Sequence, residues 1–147
     1  MRLYPGKKLT SRWRTGPASS ETLEKEDQAA LVEYIRGSGY GSQLILIPNG
    51  TQLPGDAKHR AMYSNFLKKQ GLMPGASDLF FARPLHKYHG AFFEMKRAIG
   101  GRVSPDQLAF TMNMRIYGYW ADICNGLAEG IDSYQRYILD SEPVWCP

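Results

Sequence analysis

The chain has 147 residues and a mass of 16.6 kDa, with 43% hydrophobic and 22% charged residues and a net charge of +4. That is enough for a single domain with a proper core, and too apolar for a disordered chain. No apolar run approaches the roughly 20 residues of a membrane helix, and the basic N-terminus lacks the apolar stretch of a secretory signal.

Residues 1–20 combine Gly, Pro, Ser and five basic residues without periodicity and read as a flexible basic arm. A domain over 21–140 and a tail over 141–147 are expected to follow. "SSETLEKEDQAALVEYIRGSG" reads as a helix: Ser19 or Ser20 can cap it, acids fill its first turn, and Gly37 and Gly39 follow its end. "QLILIP" is a short apolar run stopped by Pro48, with the turn pair Asn49-Gly50 after it. "AKHRAMYSNFLKKQG" predicts a second helix. "DLFFAR" and "GAFFEMKR" read as strands joined by the turn "PLHKYHG". Ser104, Pro105 and Gln107 form a capping-box pattern opening a third helix. "YWADICN" reads as a strand and "LAEGIDSYQRYIL" as a closing helix. The expected fold is therefore α/β, a mixed sheet flanked by helices in the order α-β-α-β-β-α-β-α.

Charge is uneven along this order. Residues 56–102 carry nine Lys or Arg against the acids Asp56, Asp78 and Glu94, whereas Arg115 and Arg136 face six acids further on. A basic arm and a basic middle suit a polyanionic partner, most simply nucleic acid. Cys124 and Cys146 lack metal-site spacing and read as ordinary thiols of a reducing compartment, so the cytoplasm is expected.

Asp78 and Glu94 lie within two of the most apolar runs. Alternation puts Phe92, Glu94 and Lys96 on one strand face, with Glu94 and Lys96 about 7 Å apart at Cα. If the two strands are neighbours, Asp78 converges with Glu94 at one sheet end. Two close carboxylates need a cation between them, and hard oxygen ligands suit Mg²⁺ or Mn²⁺. The alternative is a plain Glu94–Lys96 ion pair at a strand end.

The stretch "PGASDLFFARPLHKYHGAFFEMKRAIGGRVSPDQLAF" resembles the core of the VRR-NUC family, virus-type replication-repair nucleases of the PD-(D/E)xK superfamily. The resemblance rests on Pro74-Gly75, Asp78-Leu79, Tyr88-His89-Gly90, Glu94-Met95-Lys96, Gly100-Gly101-Arg102 and Ser104-Pro105-Asp106-Gln107, and extends over roughly residues 22–139. It implies a restriction-endonuclease-like fold and a Mg²⁺- or Mn²⁺-dependent endonuclease in which Asp78 and Glu94 bind the metal and Lys96 is the catalytic lysine. It also brings Gln107 beside the site and places an acid of the first helix there. Glu24 is the expected choice, as a third metal-binding acid with Asp78 and Glu94, although Asp27 sits nearer the middle of the Leu23/Ala30/Leu31/Tyr34 face. The family further implies DNA as substrate, branched or four-way, a homodimer, and a phage or prophage origin.

Lys68, Lys69, Arg97 and Arg102 flank the expected site and read as phosphate contacts. His86 and His89 read as turn residues rather than a zinc pair, and Tyr117, Tyr119 and Trp120 as core. Two other functions compete: a nucleic-acid-binding module whose Asp/Glu/Lys set is only an ion-pair cluster, and an enzyme acting on a small phosphate ester.

Overall fold

The computed structural model describes residues 20–48 and 56–139. The basic arm, Ser19, the Asn49-Gly50 pair, Cys146 and the tail lie outside them. The described elements are α1 (Ser20–Ile35), β1 (Leu44–Leu46), α2 (Ala57–Lys69), β2 (Leu79–Phe81), β3 (Ala91–Lys96), α3 (Pro105–Ile116), β4 (Trp120–Asn125) and α4 (Gly126–Leu139). This is the expected order. The punctuation acts as anticipated: α1 runs into a π-turn at Arg36–Tyr40 where Gly39 takes a φ of +91°, and Ser104 and Gln107 close a complete capping box on α3.

The four strands lie in the order β1-β2-β3-β4. β2 pairs antiparallel with both β1 and β3, and β4 runs parallel to β3, with α3 as the crossover. Cross-strand partners share a face, so the register sorts the core. One face carries Leu79, Phe81, Phe93, Met95 and Trp120, packed under Leu31 and Ile35 of α1 and Tyr134 and Tyr137 of α4. The other carries Phe80, Phe92 and Ala121, covered by Phe110 of α3 together with Ala76. Each large side chain buried in this way contributes about 1.5–3 kcal/mol. All six residues of β3 are buried, so it is the central strand and is covered on both sides.

Two outer features bear on the rest. At the β4 edge, Arg115 reaches from α3 to donate to the Ala121 carbonyl at 2.6 Å and to Asp122 at 2.8 Å. Arg136 of α4 approaches the same Asp122 at 3.6 Å from the opposite layer. Ser133 donates to Asp122 as well, and Trp120 Nε1 donates to Ser133 at 2.9 Å. By contrast α2 buries none of its residues. The aromatic assignment needs one correction. Trp120 is fully buried and Tyr119 packs on the Phe80–Phe92 cluster, but Tyr117 is 65% exposed, because it follows the last turn of α3 and points away from the sheet.

Candidate active site

The end of the sheet where β2 begins and β3 finishes collects the acids. Asp78 immediately precedes β2, and its carboxylate accepts the Met95 N–H at 3.0 Å, continuing the β2–β3 pairing by a side chain. Its main-chain carbonyl accepts the Ile47 N–H at 2.8 Å, tying β1 to the same point. Gly75 makes the approach possible. At φ +77°, a Cβ there would stand 2.3 Å from the Asp106 carbonyl carbon, so only glycine lets this turn lie on the first turn of α3.

Glu94 is 1% exposed and Lys96 6% exposed, yet both are ionisable groups. Lys96 Nζ lies 2.6 Å from Glu94 Oε1 and 3.8 Å from Glu24 Oε1. Gln107 Nε2 donates to the same Glu94 Oε1. The capping box sets the orientation of that amide, because Gln107 Oε1 accepts the Ser104 N–H at 2.9 Å and leaves the NH₂ toward Glu94. Oε1 is thus engaged twice, whereas Glu94 Oε2 is buried with no hydrogen-bond partner.

Electrostatics follows from this crowding. Burial, reinforced by the charge of Asp78, pushes Glu94 up to about 7, against the pull of Lys96. Burial also holds Asp78 above its ordinary value, opposed by the Met95 N–H and Lys96. For Lys96, burial works to lower the pKa, but the hydrogen bond to Glu94 and the charges of Glu94, Glu24 and Asp78 outweigh it and hold the ammonium above its usual range. Three carboxylates around one ammonium leave negative charge uncompensated when all are ionised.

The structure separates the two candidate acids of α1, Glu24 and Asp27. Glu24 accepts the Arg97 N–H at 3.3 Å and approaches Lys96. Asp27, one turn on, accepts the Leu127 N–H at the start of α4, and burial raises its pKa. Only Glu24 therefore faces the site. Its carboxylate is already occupied by Lys96 and the main chain.

The basic candidates are spread out. Lys68 and Lys69 lie in the last turn of α2, and Arg102 is exposed in the loop before α3. The Arg97 guanidinium folds back on its own loop, donating to the Gly100 carbonyl at 2.6 and 3.0 Å. The two histidines of the turn part company: His86 contacts the Ile138 carbonyl at 3.1 Å, and His89 packs edge-on to Tyr119. Sequence reasoning missed the Asp122 network and the Asp27 cap. Its nearest signal was the excess of acids after residue 102.

Asp78 and the free oxygen of Glu94 fit a hard divalent cation. Among the described residues no set of three or more His, Cys, Asp or Glu side chains is arranged as a metal-binding group. Asp78 and Glu94 would supply two carboxylates, a number with which Mg²⁺ can be held when water and substrate phosphates complete its shell.

These features define an α/β protein with a restriction-endonuclease-like architecture, a mixed sheet flanked by helices, whose acids and lysine meet at one end of the sheet. A solved structure described as a VRR_NUC domain protein shares the fold, with a TM-score of 0.68 over 82% of this chain and 91% of that one, at 19% sequence identity. No protein-family model matches the chain, and no curated protein matches it. Among the described residues no helix is long and apolar enough to cross a membrane.

Proposed function

We propose that the protein is a Mg²⁺- or Mn²⁺-dependent endodeoxyribonuclease that hydrolyses phosphodiester bonds. The observation that carries this reading is the buried, unpartnered Glu94 Oε2 beside Asp78, with Lys96 held 2.6 Å from the other oxygen. A buried carboxylate oxygen without a partner is costly unless a ligand takes it up. The fold shared with a VRR_NUC domain protein supports the same conclusion.

Asp78 and Glu94 would hold the cation. When bound, the cation supplies a Lewis acid for the phosphodiester and a water of lowered pKa. The protein's own groups do the rest. Lys96 offers a fixed ammonium to the negative charge that develops on the phosphoryl oxygens. Glu24, through Lys96, and Gln107, through Glu94, hold both groups in place. Lys68, Lys69, Arg97 and Arg102 are the proposed phosphate contacts. The finer reading is a branched DNA substrate cut by a homodimer. It is motivated by the resemblance of the Asp78–Gln107 stretch to the VRR-NUC family.

The competing reading, a nucleic-acid-binding module, draws on the mutual satisfaction of Lys96, Glu94 Oε1 and Gln107. Cleavage of a labelled four-way junction and a matched linear duplex separates the two. It is run with Mg²⁺, Mn²⁺ or EDTA, for wild type and Glu94→Ala. Metal-dependent cutting that the variant loses supports the nuclease, and preference for the junction supports the finer reading. Binding without cutting under every metal condition supports the module.

A further inference from the structure

Helix α2 is built inside out. Its half-buried positions are Ser64 and Leu67, while Met62 is 62%, Tyr63 50% and Phe66 54% exposed. At 100° per residue, Lys58, Met62, Phe66 and Lys69 fall on one side of the helix, with His59 and Tyr63 at the border that turns toward Leu67. The outward side is therefore an aromatic and apolar row with a cation at each end. Lys58 and Lys69 are about 16 Å apart along the axis. The Tyr63 and Phe66 rings sit side by side, their centroids 6.1 Å apart and their planes tilted by 31°. Neither belongs to a core cluster.

We propose that this outward side of α2 is a docking surface for unpaired nucleotides of a DNA strand, with Tyr63 and Phe66 stacking on bases and Lys58 and Lys69 contacting the flanking phosphates. Charge selects this occupant. From Ala57 to Lys69 the helix carries four cations, Lys58, Arg60, Lys68 and Lys69, and no acid. A second copy of the chain packed on the same surface by a two-fold axis would set these charges against their equals. A polyanion removes that conflict, and aromatic rings flanked by cations are the general means of binding single strands without sequence preference. Position favours it as well. Residues 70–77 lead directly from α2 to Asp78, and Gly75 pins that segment to the first turn of α3. The surface is thus joined to the candidate site by one short connection of the chain. The inference rests on the nuclease reading only for the choice of DNA; it distinguishes Lys69, on the aromatic side, from Lys68, and adds Lys58.

The test is equilibrium binding of the full chain in EDTA, followed by fluorescence anisotropy. The probes are a labelled oligothymidylate of about 16 nucleotides and its duplex with oligoadenylate. The double variant Tyr63→Ala/Phe66→Ala is expected to weaken single-strand binding about tenfold or more and duplex binding less than about twofold. The double variant Tyr63→Phe/Phe66→Tyr, which keeps both rings, should bind like wild type. Lys58→Gln/Lys69→Gln should lower the single-strand salt slope by about 1.4, a quantity the alanine variant leaves unchanged. Unaltered single-strand binding by the alanine variant overturns the proposal. So does an equal loss on both probes, or a shift from dimer to monomer in sedimentation, which would identify the surface as a self-contact. Cleavage by wild type that is absent in Glu94→Ala, measured in parallel, decides the nuclease reading independently of these outcomes.

Discussion

Strand β3 sends alternate residues into two different surroundings. Ala91, Phe93 and Met95 meet the layer of α1 and α4, where Leu31, Ile35, Tyr134 and Tyr137 close over them. Phe92, Glu94 and Lys96 meet the layer of α3, whose cover is thinner and ends at Gln107. Neighbouring residues of one strand thus perform opposite tasks. One face holds the domain together by apolar burial, and the other keeps two charged groups buried at an energetic cost. Burying charge against its own solvation does not build stability, which is why the proposed site is sought on this face.

The sharpest way to break this contrast is to substitute adjacent residues. Phe93→Ala should cost about 3–5 kcal/mol, a large share of the about 5–15 kcal/mol typical of a whole domain. Glu94→Gln should destabilise far less than Phe93→Ala at neutral pH, since it also removes the cost of ionising a buried carboxylate, yet lower cleavage by about a hundredfold or more. Chemical denaturation and the cleavage assay read the two effects, and a Glu94→Gln protein with full activity would remove Glu94 from the proposed site.

Titration sharpens the same contrast. Glu94 holds its proton to about pH 7 when folded, against an ordinary value of 4.5. Between those values the folded state binds more protons than the unfolded one, so this group makes stability fall as pH rises through the window. Lys96 titrates above that range and does not offset the trend. Glu94→Gln should flatten the fall in denaturation midpoint between about pH 4.5 and 7, whereas Phe93→Ala should lower the curve at every pH without changing its shape.

Gly75→Ala asks whether the thin side depends on one backbone contact. The positive φ and the clash with Asp106 should together cost about 2–4 kcal/mol. Cleavage should fall with it, because the displaced segment carries Asp78. On the β4 edge, Arg115→Met should cost about 1–3 kcal/mol, less than a fully unpaired buried acid, since Arg136 and Ser133 still face Asp122. It should leave cleavage unchanged, which marks the Asp122 network as scaffold.

Much of this was legible in the chain. The Ser104-Pro105-Gln107 cap, the glycines after α1 and the alternation in β3 are local signals, and each produced the expected element. The meeting of Asp78, Glu94 and Lys96 was legible because two short strands joined by a turn have few ways to pair. The choice between Glu24 and Asp27 was not. They lie three residues apart on one side of the helix, and only the packing of α1 across the ends of β3 and β4 separates them. The exposure of Tyr117 depends on how the chain leaves α3, and the Asp122 network joins three elements whose spacing in the sequence carries no pattern.

The separation of Glu24 and Asp27 has a consequence for the order of assembly. The two carboxylates fasten α1 to the main chain just past β3 and just past β4, at Arg97 and Leu127. On the ribosome α1 emerges before the surface it packs against, of which α4 is made about a hundred residues later. Contacts so distant in sequence form slowly. Lys96 therefore receives its second carboxylate only when α1 docks across the end of β3, so the candidate site depends on a contact between segments about seventy residues apart.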